Sequence, residues 1–500
     1  MDFSLYYRKT KNNDLFNDLE ESQLGLNSLQ NYVPLYEKFF SLNSTNFNSI
    51  NLNQKYYLNK INNTLTKNTL NVNVSDNSNN IIQRDIFCKF SPLLDPLKFL
   101  TGKYDLSANI PIELPIYNSN NKFPKLLDKN NSAYVDAFFT YLSSQLLHNN
   151  NFINSIDYYG AFIGKQEHFL YNIVDDLEYL NDSDYFHNNR NVFFNLETDD
   201  YSEFFNIDSR RNKKKLIIND KIDNIPLDSF NNDDFKIFIS SDNNNDNGTD
   251  TNKTVYDLSE VCIYNYSVKK SNDSDSESSC SSKSSNTMNE INSDCEIECS
   301  DDNDDSDNDD SDNDDDDGEH DVMCSLYDFP VQMISLEKCD NTLDYLMEND
   351  LLNNKEWISC LFQIIISLST FQKTFSFTHN DLHTNNIMYI TTEKQFLFYC
   401  FNGTYYKVPT YGKIYKLIDF GRAIYKFNGQ TMCSDSFHQK GDAASQYNCE
   451  PYFDDKKPRL EPNPSFDLCR LACCLYDHFI EDLFEAEIII KKNKIASLIN

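Results

Sequence analysis

The chain has 500 residues, enough for two or three domains, but its composition reduces the part that can fold. It carries 44 Lys and Arg against 78 Asp and Glu, a formal charge of −34. That balance argues against sequence-independent nucleic-acid binding, which needs a basic footprint. Asparagine runs such as 149–151 and 243–245 read as coding bias rather than function, and residues 1–84 read as an Asn-rich extension. Met1–Asn13 lacks a secretory apolar core, and no stretch is expected to reach membrane-spanning length, so no membrane partner is expected. The 14 cysteines show no ligand-like C-x-x-C pairs and read as reduced thiols.

The first strong helix signal is Ser132 as N-cap, followed by Tyr134, Val135, Phe138, Leu142 and Leu146 on one side. A loop over His148–Asn154 leads to a predicted strand, Ile156–Ile163. Residues 165–325 then form an insertion. Within it, Ser271–His320 holds 20 acidic residues and one basic one, Lys283. Asp301–Asp317 contains only Asp, Asn and Ser, too polar to offset its ordering entropy, so 271–320 is expected to be disordered. This stretch is a candidate binding surface for basic partners, and Ser274, Ser276 and Ser306 are candidate targets of acid-directed kinases.

Beyond the insertion, Phe329–Leu336 reads as a buried strand and Thr342–Met347 as the start of a helix. Trp357, Ile358, Leu361, Ile364, Ile365, Leu368 and Phe371 recur at helical spacing over Lys355–Gln372. A loop at Thr378–Asn386 follows, then strands at Ile387–Ile390 and Ile414–Ile418. Between these, Phe396–Phe401 and Tyr405–Val408 flank Asn402-Gly403, a hairpin turn signal. Leu468–Tyr476 reads as a further helix.

Two ordered motifs carry chemistry. His379 through Asn386 fits H-x-D-x-x-x-x-N, and Asp419-Phe420-Gly421 is D-F-G, in the order and strand context of a phosphotransfer site. Such a site needs an orienting carboxylate and oxygen ligands that fix Mg²⁺ on the phosphates of ATP. Asp381 fits the first role, and Asn386 and Asp419 the second, because Mg²⁺ prefers hard oxygen donors. Glu337-Lys338-Cys339 would be the hinge that receives adenine through its backbone.

The chain resembles kinase-like proteins of giant DNA viruses, within the eukaryotic-type protein kinase superfamily. The matching stretches are Asn131–Phe139, Phe377–Met388, Val408–Gly412, Lys416–Ile424 and Pro462–Tyr476, within residues 85–165 and 326–480. The resemblance implies an α+β, bilobal kinase-like fold with a divergent N-lobe and a long disordered acidic insertion. The N-lobe would take 85–164 and 326–338, and the C-lobe 339–500. It also implies ATP with Mg²⁺ as cofactors, a Ser/Thr protein acceptor, and a location in the host cytoplasm or virion. Asp467 matches the aspartate that braces the catalytic loop, with His379 in the same brace. His383 stands where many kinases place a lysine near the γ-phosphate.

Departures from the pattern are specific. There are 11 glycines and no G-x-G-x-x-G. The ATP-binding lysine is not marked by V-A-I-K; Lys125 is the candidate by distance, with Gln145 where a glutamate is usual. Asn380 replaces the arginine that commonly pairs an activation-loop phosphate. The alternatives are a pseudokinase-like scaffold and a small-molecule phosphotransferase.

Overall fold

A computed structural model describes residues 4–104, 106, 112–197, 322–480 and 486–499. All of them belong to one compact unit; a second unit, residues 206–279, lies wholly outside them. The acidic stretch 271–320 also lies outside the described residues.

The described fold is mixed α+β. Strands β1 (Tyr7–Lys9) and β3 (Ile50–Leu52) pair with each other, and helix α1 (Asn13–Glu20) and strand β2 (Leu26–Gln30) lie between them in sequence. Strands β4 (Tyr56–Thr66), β5 (Thr69–Asp76) and β6 (Ile81–Pro92) follow as an antiparallel meander. A short helix, α2 (Pro96–Leu100), precedes α3 (Ser132–Asn150) and strand β7 (Tyr158–Asn172). Helices α4 (Leu177–Asn181) and α5 (Asp184–Asn189) lead to β8 (Phe194–Leu196), and β9 (Met323–Glu337) opens the next described stretch. Seven of these strands form one antiparallel sheet in the order β2-β7-β9-β6-β5-β4, with β8 beside β9.

Three of the sheet strands, β2, β4 and β5, come from residues expected to be an extension outside the fold. The reason is legible in β5: Leu70, Val72 and Val74 are fully buried and alternate with the half-buried Asn71 and Asn73. Asparagine-rich composition hides a period-two strand pattern. The pair β7/β9 is also longer than expected, running from Tyr158↔Leu336 to Asn172↔Met323 with one register shift between Tyr158 and Gly160. The first and last residues assigned to the insertion are therefore sheet.

Helix α3 is capped by Asn131, whose side chain accepts from Ala133 N–H, rather than by Ser132. It ends at Asn151 in the left-handed conformation, a common helix stop. The helix is buried on nearly every side over Ala133–Leu146, more than the single apolar face expected.

The remaining described elements are β10 (Asn341–Thr342), α6 (Leu343–Glu348), α7 (Asn354–Phe375), β11 (Ile387–Thr391), β12 (Phe396–Phe401), β13 (Thr404–Pro409), β14 (Lys413–Leu417), β15 (Ile424–Phe427), β16 (Gln430–Cys433), α8 (Phe466–Phe479), α9 (Ala486–Lys492) and α10 (Lys494–Ile499). Strands β10-β11-β14 form one small sheet, and β12/β13 and β15/β16 are hairpins. Asn402 and Gly403 join β12 to β13 with φ of 50° and 78°, both left-handed, as a type I′ turn requires. Helix α7 starts with a capping box between Asn353 and Glu356. By length and hydropathy it is apolar enough to cross a membrane, contrary to expectation, but Trp357, Leu361, Ile364, Leu368 and Phe371 bury one side of it in the core. Ile358 and Ile365, assigned to the same face, are exposed.

Phe139 on α3 is the aromatic centre, fully buried, with ring centroids of Phe377, Phe420 and Tyr425 at 4.3, 4.7 and 4.8 Å. Phe139→Ala leaves a cavity where the helix meets the functional loops. We expect a loss of roughly 3–5 kcal/mol in unfolding free energy, measured by denaturant titration.

Candidate functional site

Strand β6 turns Ile86, Cys88 and Phe90 into the core and Lys89 to the other face. Lys89 Nζ lies 2.7 Å from Asp136 Oδ2 on α3 and 2.8 Å from Asp419 Oδ1. The other oxygen of Asp136 accepts the Phe420 N–H at 2.9 Å. One buried carboxylate therefore ties strand β6, helix α3 and the segment Asp419–Gly421 together. Burial, the largest influence, pushes the Asp136 carboxyl above its usual range, and Asp419 adds to this against the pull of Lys89. Burial also opposes charge on Lys89, but its two carboxylate partners outweigh it and hold the ammonium protonated beyond its ordinary range.

The loop after α7 is set by a second buried carboxylate. Asp467, fully buried in the first turn of α8, accepts the backbone N–H of His379 at 2.9 Å and of Asn380 at 2.8 Å. It lies inside the helix and caps this loop, not its own helix, whose N-cap is Ser465. Burial pushes its carboxyl up, while His379 and the two N–H donors pull it down. The His379 ring donates from Nε2 to Ile418 O at 3.0 Å, which locks the loop to the end of β14. Asn380 holds a left-handed φ of 66°, accepts from the Tyr447 hydroxyl at 2.8 Å and donates to Arg422 O at 2.8 Å. Asn380 is thus a buried structural link.

Between these two anchors lie the groups expected to act. Asn386 Nδ2 donates to Asp381 O at 2.9 Å and to His383 Nε2 at 3.0 Å, so its amide oxygen faces the other way. The Ile418 N–H donates to Asn386 O at 3.1 Å, which sets Asn386 beside Asp419 across the strand ends. Asp419 takes a left-handed φ of 60°, tolerable for aspartate. Asn386 Oδ1 and the Asp419 carboxylate are the hard donors that would hold Mg²⁺. Among the described residues no group of three or more His, Cys, Asp or Glu could hold a metal ion. A pair of protein oxygens suits Mg²⁺, which takes its other ligands from phosphates and water. Asp381 is 4% exposed; its Oδ1 meets Arg470 Nη2 at 3.1 Å and lies 3.6 Å from Arg422 Nη1.

The other expected residues sit apart. Lys125 lies in the short turn Pro124–Leu127 and pairs with Asp435, while Gln145 donates to Asn53 O at 3.3 Å; the two do not meet. Lys89 and Asp136 occupy the arrangement sought for them. Glu337 closes β9 with its N–H on Asp157 O at 3.1 Å and its carboxylate on Lys416 Nζ at 2.6 Å. Cys339 is buried next to it, its thiol pushed up to about 12, chiefly by burial. His383 is held below the ordinary imidazole range by burial, against the pull of Asp381. A neutral ring that accepts at Nε2 agrees with the Asn386 contact. Sequence reasoning missed Lys89, Asp136, Arg422 and Arg470. A lone lysine in the alternating run Ile86–Ser91 and a lone acid in the apolar helix 133–146 were the signals for the first two.

The chain is 27% identical over 100 residues to a protein described as probable kinase 098L, of Invertebrate iridescent virus 3. The match covers 20% of this chain and 19% of that protein. No family model matches the chain. The likeness is a distant, partial one to a probable viral kinase.

Two outcomes test the geometry. Asp467→Asn keeps one acceptor and sets an amide N–H against a buried backbone N–H; we expect a loss of about 2–4 kcal/mol in unfolding free energy. For His383, the folded ring binds protons more weakly than the unfolded one. Its contribution is therefore complete above the ordinary imidazole value near 6.5 and is lost as pH falls below it. The stability of the wild type minus that of His383→Gln should decline between about pH 7 and 5; a flat difference would remove the shift.

Proposed function

We propose that the chain is an ATP-dependent phosphotransferase, a divergent serine/threonine protein kinase with a bilobal kinase fold. The observation that carries this reading is the placement of Lys89 and Asp136 against Asp419, next to the Asp381–Asn386 loop. Phosphoryl transfer from ATP needs fixed cations on the phosphates, a carboxylate at the acceptor hydroxyl and little else. Lys89, held charged by two carboxylates, is the cation, and the sheet on one side supports it. The turn Lys67-Asn68 between β4 and β5 is tied to β6 through Cys88 N–H on Asn68 O at 2.7 Å. In this reading, that turn is the candidate for the part a glycine-rich loop plays in covering phosphates. When bound, Mg²⁺ neutralises the phosphate oxygens. Asp381 orients the acceptor hydroxyl and takes its proton, while Asp467 and Asn386 hold the loop that presents it. The distant likeness to a probable viral kinase supports the same class.

A scaffold with weak or no transfer is the second reading. It is favoured by Asp381, whose oxygen already meets Arg470, a competitor for the place of the acceptor hydroxyl.

Calorimetry with ATP, with and without Mg²⁺, separates them when paired with a transfer assay. We expect Mg²⁺-dependent binding that weakens on the order of tenfold or more in Lys89→Met and loses its metal dependence in Asp419→Ala. Asp381→Asn should bind Mg·ATP normally and lose on the order of 10²–10⁴-fold in transfer to a generic hydroxyl-bearing protein acceptor. Equal affinity with and without Mg²⁺ would end the assignment of Asn386 and Asp419. Binding without transfer to any acceptor would favour the scaffold.

A further inference from the structure

Asp435, just after β16, is the feature that the proposed chemistry does not use. It is 8% exposed and stands at the N-terminus of the 19-residue helix α3. Its Oδ1 accepts the Ser132 N–H at 2.9 Å, its Oδ2 pairs with Lys125, and its own N–H donates to Asn130 O at 2.8 Å. A carboxylate there satisfies an orphan helix N–H and meets the positive end of the helix dipole. Ser132 is one helical turn before Asp136. The chain from Asp419 to Asp435 therefore grips the same turn at three heights: Phe420 N–H on Asp136, Tyr425 hydroxyl on Val135 O at 2.8 Å, and Asp435 on Ser132. Lys38, from the N-terminal segment, closes the group by donating to Asn130 Oδ1 at 2.7 Å and Thr431 O at 3.1 Å.

We propose that Asp435 is a positioning residue that fixes Asp136, and through it Lys89 and Phe420, so that the site stands assembled without covalent modification. A phosphate set at a helix N-terminus can order a segment switchably; a buried carboxylate with a lysine partner does so permanently. The inference rests on the phosphotransfer reading for its kinetic consequence, and on geometry alone for the coupling from Asp435 to Asp136.

The test uses the full chain in three forms: wild type, Asp435→Asn and Ser132→Pro. The second variant deletes only the N–H that Asp435 accepts, because proline is well tolerated at the first helical position. Hydrogen exchange and transfer kinetics are measured on each, with and without prior phosphatase treatment. We expect wild-type transfer to be unchanged by phosphatase. Both variants should fold, lose protection at Val135–Ala137 and at Phe420, and lose on the order of tenfold in kcat. Asp435→Glu should recover part of the loss. Wild-type protection and rate in both variants would overturn the proposal, as would a wild-type rate that falls on phosphatase treatment. If the wild type transfers nothing, the phosphotransfer reading fails by itself. The exchange result then decides the coupling: lost protection supports it and unchanged protection overturns it.

Discussion

The buried carboxylate of Asp136 is the interaction on which the described structure turns. Taking a charge out of water costs several kcal/mol unless partners replace the lost hydration. Asp136 recovers that cost from Lys89 on one oxygen and the Phe420 N–H on the other. Because Asp136 and its two partners come from α3, β6 and the chain after β14, the electrostatic requirement is also a geometric one. None of the three elements can shift alone without stranding a charge or a buried donor. The aromatic cluster around Phe139, one turn further along α3, fills the space beneath this junction. Packing and charge thus specify the same seat for the helix.

Asp467 repeats the device at the other end of the site. It presents two acceptor oxygens to two successive backbone donors, His379 and Asn380, on a loop with no regular ladder to satisfy them. A loop held in this way can keep Asn380 left-handed and still carry Asp381 at a fixed position. The two carboxylates divide the labour: Asp136 places the cation and the Asp419 segment, and Asp467 places the loop between them. The groups expected to do chemistry are supported by residues that do none.

Legibility followed the strength of local signals. The strand–loop–strand from Thr378 to Asp419, with its hairpin at Asn402-Gly403, was readable because period and turn chemistry agree there. Asp381, Asn386 and Asp419 stand out in the sequence because two short motifs follow in order, whereas Asp467 is marked only by the family resemblance. The first 84 residues were misread because asparagine takes the outward positions of β5, where charged or Thr residues are commoner, and composition outweighed alternation. Lys125 stands at the usual count before the helix, whereas no motif marks Lys89. Distance along the chain is a poor guide when 39 residues (93–131) separate strand β6 from α3. Asp136 carries no signal of its own, because a glutamate is the residue expected on such a helix. With one methylene fewer, an aspartate reaches a lysine only if the helix sits closer to the sheet, and that is a tertiary fact no window of sequence contains.

The arginines beside Asp381 raise the last structural question, because a carboxylate and its electrostatic neighbours are set together. Arg470 comes from the same helix as Asp467, three residues on, so the element that braces the loop from below also delivers a cation to its carboxylate. Arg422 reaches Asp381 from the chain just beyond Gly421 and is itself shared with Asp442. Its carbonyl accepts from Asn380, the residue adjacent to Asp381. Position 380 is an asparagine, and the positive charge beside Asp381 is supplied from two other segments. Under the proposed phosphotransfer reading, a hydroxyl acceptor approaching Asp381 would enter a site already ordered by guanidinium groups. An acceptor that carries its own negative charge would meet those groups favourably, whereas a strongly basic one would meet them at a cost.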